Sequence, residues 1–340
     1  MSGIRTSFTE LVGIDHPVVS AGMGGDAAGG ELAGAVSEAG GLGIVGASWL
    51  SPERMREEVA RARGLTSKPI GVNLLLFGNE ELVEPVLELE PAVFSTAWPR
   101  DDQDLATIFA RAHERGAKAM HMVTTLSDAV EAAEAGADIV VAQGAEGGGH
   151  VGEMSTVVLV RQVAKALPST PVLAAGGLAD GAGLVAALAL GADGILMGTR
   201  FIATEECAYS PFDKEGVVAS DGHDTIVTSV HDTFSGRDWP GAWSRGPRNR
   251  LVEEWLGREP ELRRRRDAVR EQLVAAKDAG DRDYWLMWYG QSAGLVDAVQ
   301  PAGEVVREIV AEAEEILAAL SHRQEPSATM DAASRGGAAR

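Results

Sequence analysis

The stretch Ala135-Gly136-Ala137-Asp138-Ile139-Val140-Val141-Ala142-Gln143-Gly144-Ala145-Glu146-Gly147-Gly148-Gly149-His150-Val151-Gly152 decides how the chain is read. It holds, in order, a helix-ending glycine, a short apolar run and a glycine-rich loop carrying a histidine. Ile139 to Ala142 reads as a buried strand, and a helix-like segment begins near Ser155. Gly136 stands where a helix stops and a strand starts, the place for a left-handed C-cap. The same joint recurs as Arg115-Gly116-Ala117-Lys118 and as Leu190-Gly191-Ala192-Asp193. Repetition of one joint predicts repeated βα units.

Outward from that stretch, seven more apolar runs fit the same rhythm. They are His16 to Ser20, Leu42 to Val45, Ile70 to Leu74, Ala92 to Ser95, Lys118 to Val123, Val172 to Ala175 and Gly194 to Met197. Eight parallel strands with helical crossovers predict a (β/α)8 barrel. The runner-up is an open doubly wound sheet, but no early Gly-x-Gly-x-x-Gly with a following ribose-binding acid supports it. After Thr199 the rhythm stops. Residues 208–298 are rich in helix formers and read as a helical cap beside the barrel mouth, with 1–207 and a closing helix within 299–320 making the barrel. Residues 321–340 lack apolar periodicity and are expected to be disordered. The run Arg263 to Arg266 reads as a solvated helix face paired with Glu259, Glu261 and Asp267, without functional weight.

The 340 residues carry 50 acidic against 30 basic side chains, a formal net charge of -20. That balance argues against nucleic acid or an anionic membrane as partner and favours a small-molecule substrate. The amino terminus lacks a secretory pattern and no apolar stretch approaches the ~18 residues of a span, so a cytoplasmic protein without a membrane segment is expected. Cys207 is the one cysteine, so no internal disulfide and no cysteine metal cluster can form; a buried apolar role outweighs a nucleophilic one. His16, His113, His121, His223, His231 and His322 lack ligand spacing, so no metal site is expected.

Two features carry chemistry. His150 can exchange a proton near neutral pH, though alone it reads more readily as a partly exposed polar residue, and only the features downstream reverse that. Gly176, Gly177, Gly198 and Thr199 stand just past the last two strands, where main-chain amides form an anion nest fit for a phosphate dianion. A phosphate there lays the rest of its ligand over the strand ends, where Met23, Asn73, Gln143 and His150 would project. Side-chain amides both donate and accept, which matches a flat ring bearing alternating donors and acceptors.

The pieces Ser20-Ala21-Gly22-Met23-Gly24-Gly25, Gly71-Val72-Asn73-Leu74, Gln143-Gly144 through Gly148-Gly149-His150, Ala175-Gly176-Gly177, Met197-Gly198-Thr199-Arg200 and Tyr289-Gly290-Gln291-Ser292-Ala293-Gly294 recur in order along the chain. In them the sequence resembles the nitronate monooxygenases, formerly called 2-nitropropane dioxygenases, which are FMN-containing barrels with a helical second domain. The resemblance implies that Met23, Asn73, Gln143, Gly177, Gly198, Thr199 and Gln291 contact FMN and that His150 is the catalytic base. It implies oxidation of alkyl nitronates or nitroalkanes by O2 to carbonyl compounds and nitrite. Tyr289, beside Gln291, is expected in the substrate pocket. So is Trp98, in Ser95-Thr96-Ala97-Trp98-Pro99, where the family usually shows a phenylalanine-glycine pair; Gly147 replaces the family's usual alanine. His150-Val151-Gly152 with Leu159-Val160-Arg161-Gln162-Val163 is also similar to the flavin-dependent enoyl-acyl-carrier-protein reductases, which keeps an NAD(P)H-dependent reductase open. A flavin-binding protein without turnover stays open too, and a homodimer is compatible with each reading.

Overall fold

All three repeated joints fold alike. Gly116, Gly136 and Gly191 take φ values of 78°, 100° and 97°, the left-handed region in which a Cβ is strained. The aspartate that follows two of them then reaches back to the preceding strand. Asp138 Oδ2 accepts from the Ala119 amide at 2.8 Å, and Asp193 Oδ2 accepts from the Val172 amide at 3.0 Å. Each carboxylate therefore pins one strand's start to its neighbour's.

The protein is described by a computed structural model covering residues 3–24, 27–237 and 239–322. Its strands are β1 (Val18–Ser20), β2 (Leu42–Gly46), β3 (Ile70–Leu75), β4 (Val93–Ala97), β5 (Lys118–Val123), β6 (Ile139–Gln143), β7 (Gly149–Val151), β8 (Val172–Ala175), β9 (Gly194–Met197), β10 (Thr225–Thr228) and β11 (Trp243–Pro247). Eight of them close a parallel barrel in the order β1-β2-β3-β4-β5-β6-β8-β9. Closure is the pairing of Val19 with Leu196 on β9 and with Leu42 on β2. The chain is thus a (β/α)8 barrel, as its periodicity predicts.

Val19, Leu42, Ile44, Val93, Met120, Ile139, Val141 and Leu173 fill the barrel interior, joined by Phe8 and Ile14. Phe8 comes from a helix over Ser7–Val12 that the sequence reading did not place. Thr6 and Thr9 cap its start reciprocally, and Thr6 Oγ1 donates to Asp193 O at 2.7 Å. The helix so tied seals the amino-terminal end of the barrel, and burying its phenylalanine alone contributes about 1.5–3 kcal/mol.

Beyond β9 only a short helical turn, Thr199–Ile202, follows before the chain leaves the barrel. The ring of outer helices is completed by Ala302–His322, which packs against Gly181–Leu190 and Gly30–Glu38. Its buried face is Val305, Val306, Ile309, Val310 and Ala313. This helix takes in Ser321 and His322, two residues of the expected tail; residues 323–340, and Gly25 of the first glycine motif, lie outside the described residues.

The insertion between carries the helices Pro211–Val218, Val230–Ser235, Arg250–Trp255 and Glu259–Asp278. Phe234, Leu251, Trp255, Leu262, Val269 and Tyr284 form its core. It also carries two strands. β11 pairs antiparallel with β10 and with β7, so that Ser244 lies opposite His150. Thr225-Ile226-Val227-Thr228 is short, and Trp243-Ser244-Arg245-Gly246-Pro247 contains both strand breakers; only the tertiary partner makes either a strand. Among the described residues no helix is long and apolar enough to cross a membrane.

Candidate active site at the carboxyl ends of the strands

β6 ends at Gln143 and hands the chain to the loop 144–148. A Cβ on Gly148 would lie 2.5 Å from main-chain atoms of Tyr289 and Gly290, and Gly144 backs directly onto Thr156. These two glycines serve close packing of protein on protein, and Gly148 also lines the cavity beside His150. Glu146 in the same loop accepts from Thr156 N and Oγ1 at 2.9 and 2.8 Å. It caps the Thr156–Ala166 helix, whose own N-cap Ser155 makes no side-chain bond. Arg245 of β11 is buried and donates to Ala145 O at 2.9 Å and to Thr225 Oγ1 at 3.0 Å. Insertion and loop are thereby one rigid unit.

His150 sits on β7 at the edge of that unit. Its Nε2 lies 2.7 Å from Asp232 Oδ1, and its ring stacks on Trp239 with centroids 3.2 Å apart and planes 11° from parallel. The carboxylate can only accept, so the neutral ring carries its proton on Nε2 and leaves the Nδ1 lone pair free of protein partners among the described residues. Burial holds the imidazole pKa below its ordinary 6.5; Asp232 opposes that shift, and the positive charge of Arg237 adds to it. The result is a neutral, oriented base at physiological pH.

A cavity of about 410 Å³ opens beside the ring. Met23, Gln143, Gly176, Gly177, Gly198, Thr199, His150 and Trp98 all line it. These eight expected residues come together from β1, β4, β6, β7, β8 and β9 ends. Gly176 and Gly177 have φ values of 99° and 73°, which turns consecutive amides to one side. Thr199 Oγ1 accepts from the Gly290 amide at 2.9 Å, so that hydroxyl retains its own proton to donate. Trp49 and Trp98 hold left-handed φ values of 63° and 53°, a strain of about 1–3 kcal/mol each that concentrates at functional sites.

Three expected residues stand outside the cavity lining. Asn73 donates from Nδ2 to Ser95 Oγ and O at 3.1 and 3.3 Å and packs beneath Gly22, so its amide ties β3 to β4. Gln291 is exposed, and its main-chain N–H donates to Glu146 O at 3.0 Å; Ser292 next to it reaches the cavity instead. Tyr289 is 1 % exposed and packed among Ile202, Trp285 and Met287. Burial pushes its phenol up to about 12, as fits a side chain packed in the core and outside the cavity lining. Cys207 is buried as well, which raises its thiol pKa and fits the packing role.

The sequence reading missed Asp232, Arg237, Trp239, Trp49 and Trp288. Trp239 gathers the mouth of the cavity, with ring centroids 4.5 Å from Phe77 and 6.3 Å from both Trp49 and Trp98. Arg237 lies over the Trp49 ring at 3.7 Å. The density of tryptophans between 239 and 288 was the available signal; without the fold, nothing links them to His150. Gln143 and Trp288 both line the cavity, and Gln143 Oε1 and Trp288 Nε1 are buried without a hydrogen-bond partner among the described residues. An orphaned acceptor and an orphaned donor cost free energy unless a small shift lets a bound molecule complete them.

A nitronate monooxygenase family model matches residues 5–89 and 79–312. A probable nitronate monooxygenase of Staphylococcus haemolyticus (strain JCSC1435) is 31% identical over 361 residues, covering 92% of this chain and 98% of that protein. Among solved structures, FabK from Thermotoga maritima superposes with a TM-score of 0.82 at 35% identity, over 94% of this chain and 99% of its own. The nitroalkane oxidase from Streptomyces ansochromogenes superposes with a TM-score of 0.77 at 29% identity, over 92% and 99%.

Proposed function

This chain belongs to the nitronate monooxygenase family, a family of oxidoreductases acting on small molecules, and from that premise we propose that it oxidises alkyl nitronates or nitroalkanes to carbonyl compounds and nitrite with FMN and O2. The observation that carries the proposal is the His150–Asp232 pair at 2.7 Å beside a glycine-walled cavity. The residues present fit FMN. Gly176, Gly177, Gly198 and Thr199 offer amides and a hydroxyl to its phosphate, while the orphaned Gln143 Oε1 and Trp288 Nε1 can complete polar ring atoms. Bound there, FMN supplies the two-electron chemistry, which is the cofactor's own.

The chain's part is positioning and one proton. Asp232 fixes the tautomer of His150, and Nδ1 then removes the acidic α-proton of a neutral nitroalkane. The imidazolium so formed is stabilised by the same carboxylate. Trp49 and Trp98 from the barrel loops and Trp239 from the insertion 208–298 exclude water and narrow the entrance, so both regions build the substrate side.

The test starts with an absorption spectrum of the purified protein, expected to be that of bound FMN, followed by nitrite assays with 2-nitropropane and with propionate 3-nitronate. His150→Ala should lower turnover of the neutral nitroalkane by about 10²–10⁴-fold and spare the preformed nitronate, which needs no deprotonation. Equal rates of both substrates in variant and parent would remove His150 from the mechanism. A second reading, reduction of enoyl thioesters by NAD(P)H, rests on the resemblance of the segments from His150 and Leu159 to enoyl-acyl-carrier-protein reductases. It requires rapid anaerobic bleaching of the flavin by NADH or NADPH. A flavin binder without turnover would release no nitrite from any nitronate.

A further inference from the structure

Behind the Trp239 loop lies a second cavity of about 510 Å³, lined among others by Arg237, Trp239, Trp243, Arg263 and Arg266. It reopens the question of the arginine run. Of the four successive arginines only Arg265 meets an acid, Glu261 at 3.5 Å; Arg270, one turn on, takes Asp267. Arg263 and Arg266, three residues apart and so on one helix face, make no ion pair or hydrogen bond among the described residues. Arg237 likewise meets no carboxylate among the described residues and is held over Trp49. Of the expected solvated face paired with acids, the exposure holds for Arg263, Arg264 and Arg265, while the pairing is made by Arg265 and not by the two arginines of the groove. In a chain of net charge -20, three guanidinium groups from two separate elements surround one concavity that holds a single carboxylate, Asp232.

We propose that this groove is a binding subsite for a phosphate-bearing anion, separate from the glycine nest expected to hold the flavin phosphate. Each guanidinium presents five N–H donors in a planar fork. Three forks around one groove exceed the acceptor capacity of a single carboxylate and match the oxygens of a diphosphate or of a phosphate ester. The volume also leaves room for more than a carboxylate. Asp232 lines the same groove, and its hydrogen bond to the neutral His150 leaves its charge in place, so it offsets one of the three cations and the anion sits towards Arg263 and Arg266. Half-exposed Trp243 supplies an apolar wall, and Arg237 and Trp239 are shared with the active-site cavity. A ligand anchored by its phosphate in the groove can therefore extend past Trp239 towards His150.

Titration calorimetry and tryptophan fluorescence with inorganic pyrophosphate test the site on the intact protein without recourse to activity. Sub-millimolar binding at about 50 mM salt is expected, weakening as salt rises. The double variant Arg263→Ala/Arg266→Ala should bind at least about tenfold more weakly, and Arg263→Lys/Arg266→Lys, which keeps the charges but loses the forks, should fall between. Absence of binding by the parent up to about 10 mM, or undiminished binding by either folded double variant, overturns the proposal. A kinetic arm, which rests on the function proposed above, then separates the sources of the phosphate. If the groove holds the tail of a substrate, a nitronate ending in a phosphate has a lower KM than ethyl nitronate in the parent and loses that advantage in the alanine variant. If it holds a free anion, pyrophosphate binds and the phosphate-ended nitronate shows no advantage. Lack of nitrite from every substrate would count against the proposed reaction and leave the pyrophosphate result standing.

Discussion

The barrel and the insertion contribute to His150 in opposite ways. The barrel supplies the residue itself, on a loop capped by Glu146. The insertion braces that loop through Arg245 and supplies what, in the proposed mechanism, makes the residue a base: the acceptor Asp232 and the stacked ring of Trp239. Barrel elements are specified locally, by apolar runs, glycine joints and an aspartate that reaches one strand back. Insertion elements are specified by what they meet, since β10 and β11 become a sheet only against β7. The lesson is that a common scaffold can hold a proton-transfer group while a less regular segment sets its tautomer, its hydration and its access.

The sharpest way to break that division is Asp232→Asn. The amide can turn an N–H towards the imidazole and favour the wrong tautomer, so kcat/KM for a neutral nitroalkane should fall about 10²-fold, with little change for a preformed nitronate. A fall of less than about threefold in steady-state assays would show that the insertion is not part of the catalytic unit. The matching barrel change is Asp193→Ala, which removes the acceptor for the Val172 amide and for Ser7 Oγ. It should cost about 2 kcal/mol in denaturant unfolding and leave kcat/KM unchanged. Loss of activity in step with stability would contradict the separation of the two regions.

Trp239→Ala is a milder test of the same contrast. Burial is the largest cause of the lowered His150 pKa, so admitting water should raise that pKa towards 6.5. The acid limb of the kcat/KM profile then moves to higher pH. A limb that stays in place or moves down would mean that the stack does not shield the base.

The same contrast explains what could be read from residues alone. The eight strands, their order along the chain and the glycine turns after β8 and β9 follow from periodicity and from where only glycine is comfortable. His150, Gln143 and Met23 are legible because they sit at predicted strand ends. Asp232 is not, since it is 82 residues from its partner and arrives through a sheet whose strands read as loop. Tyr289 and Gln291 misled for a related reason: adjacency to a motif fixes the position of a backbone, whereas burial of one side chain and exposure of the next are decided by packing that no short window contains. The amino-terminal plug helix escaped because six residues carry too little periodicity to register.

The smallest effect separates two buried histidines, one in each region. His121 on β5 shares a 2.7 Å hydrogen bond with Thr96, whereas both nitrogens of His231 are buried without a partner. Burial pushes each pKa down to about 4 from the ordinary 6.5. A lowered folded-state pKa means that the unfolded chain takes up the proton first as pH falls. Stability is thus greatest above about pH 6.5 and drains by roughly 1.4 kcal/mol per pH unit per histidine down to about pH 4. Replacing either histidine with leucine should flatten that slope in pH-dependent denaturant unfolding. At pH 7.5 the two must differ: His121→Leu strands the Thr96 hydroxyl and should cost about 1–2 kcal/mol, while His231→Leu removes two unsatisfied polar atoms and should change stability by less than about 1 kcal/mol in either direction. Equal losses at neutral pH would mean that His231 has a polar partner in solution, and that the insertion is as fully hydrogen-bonded at this point as the barrel wall.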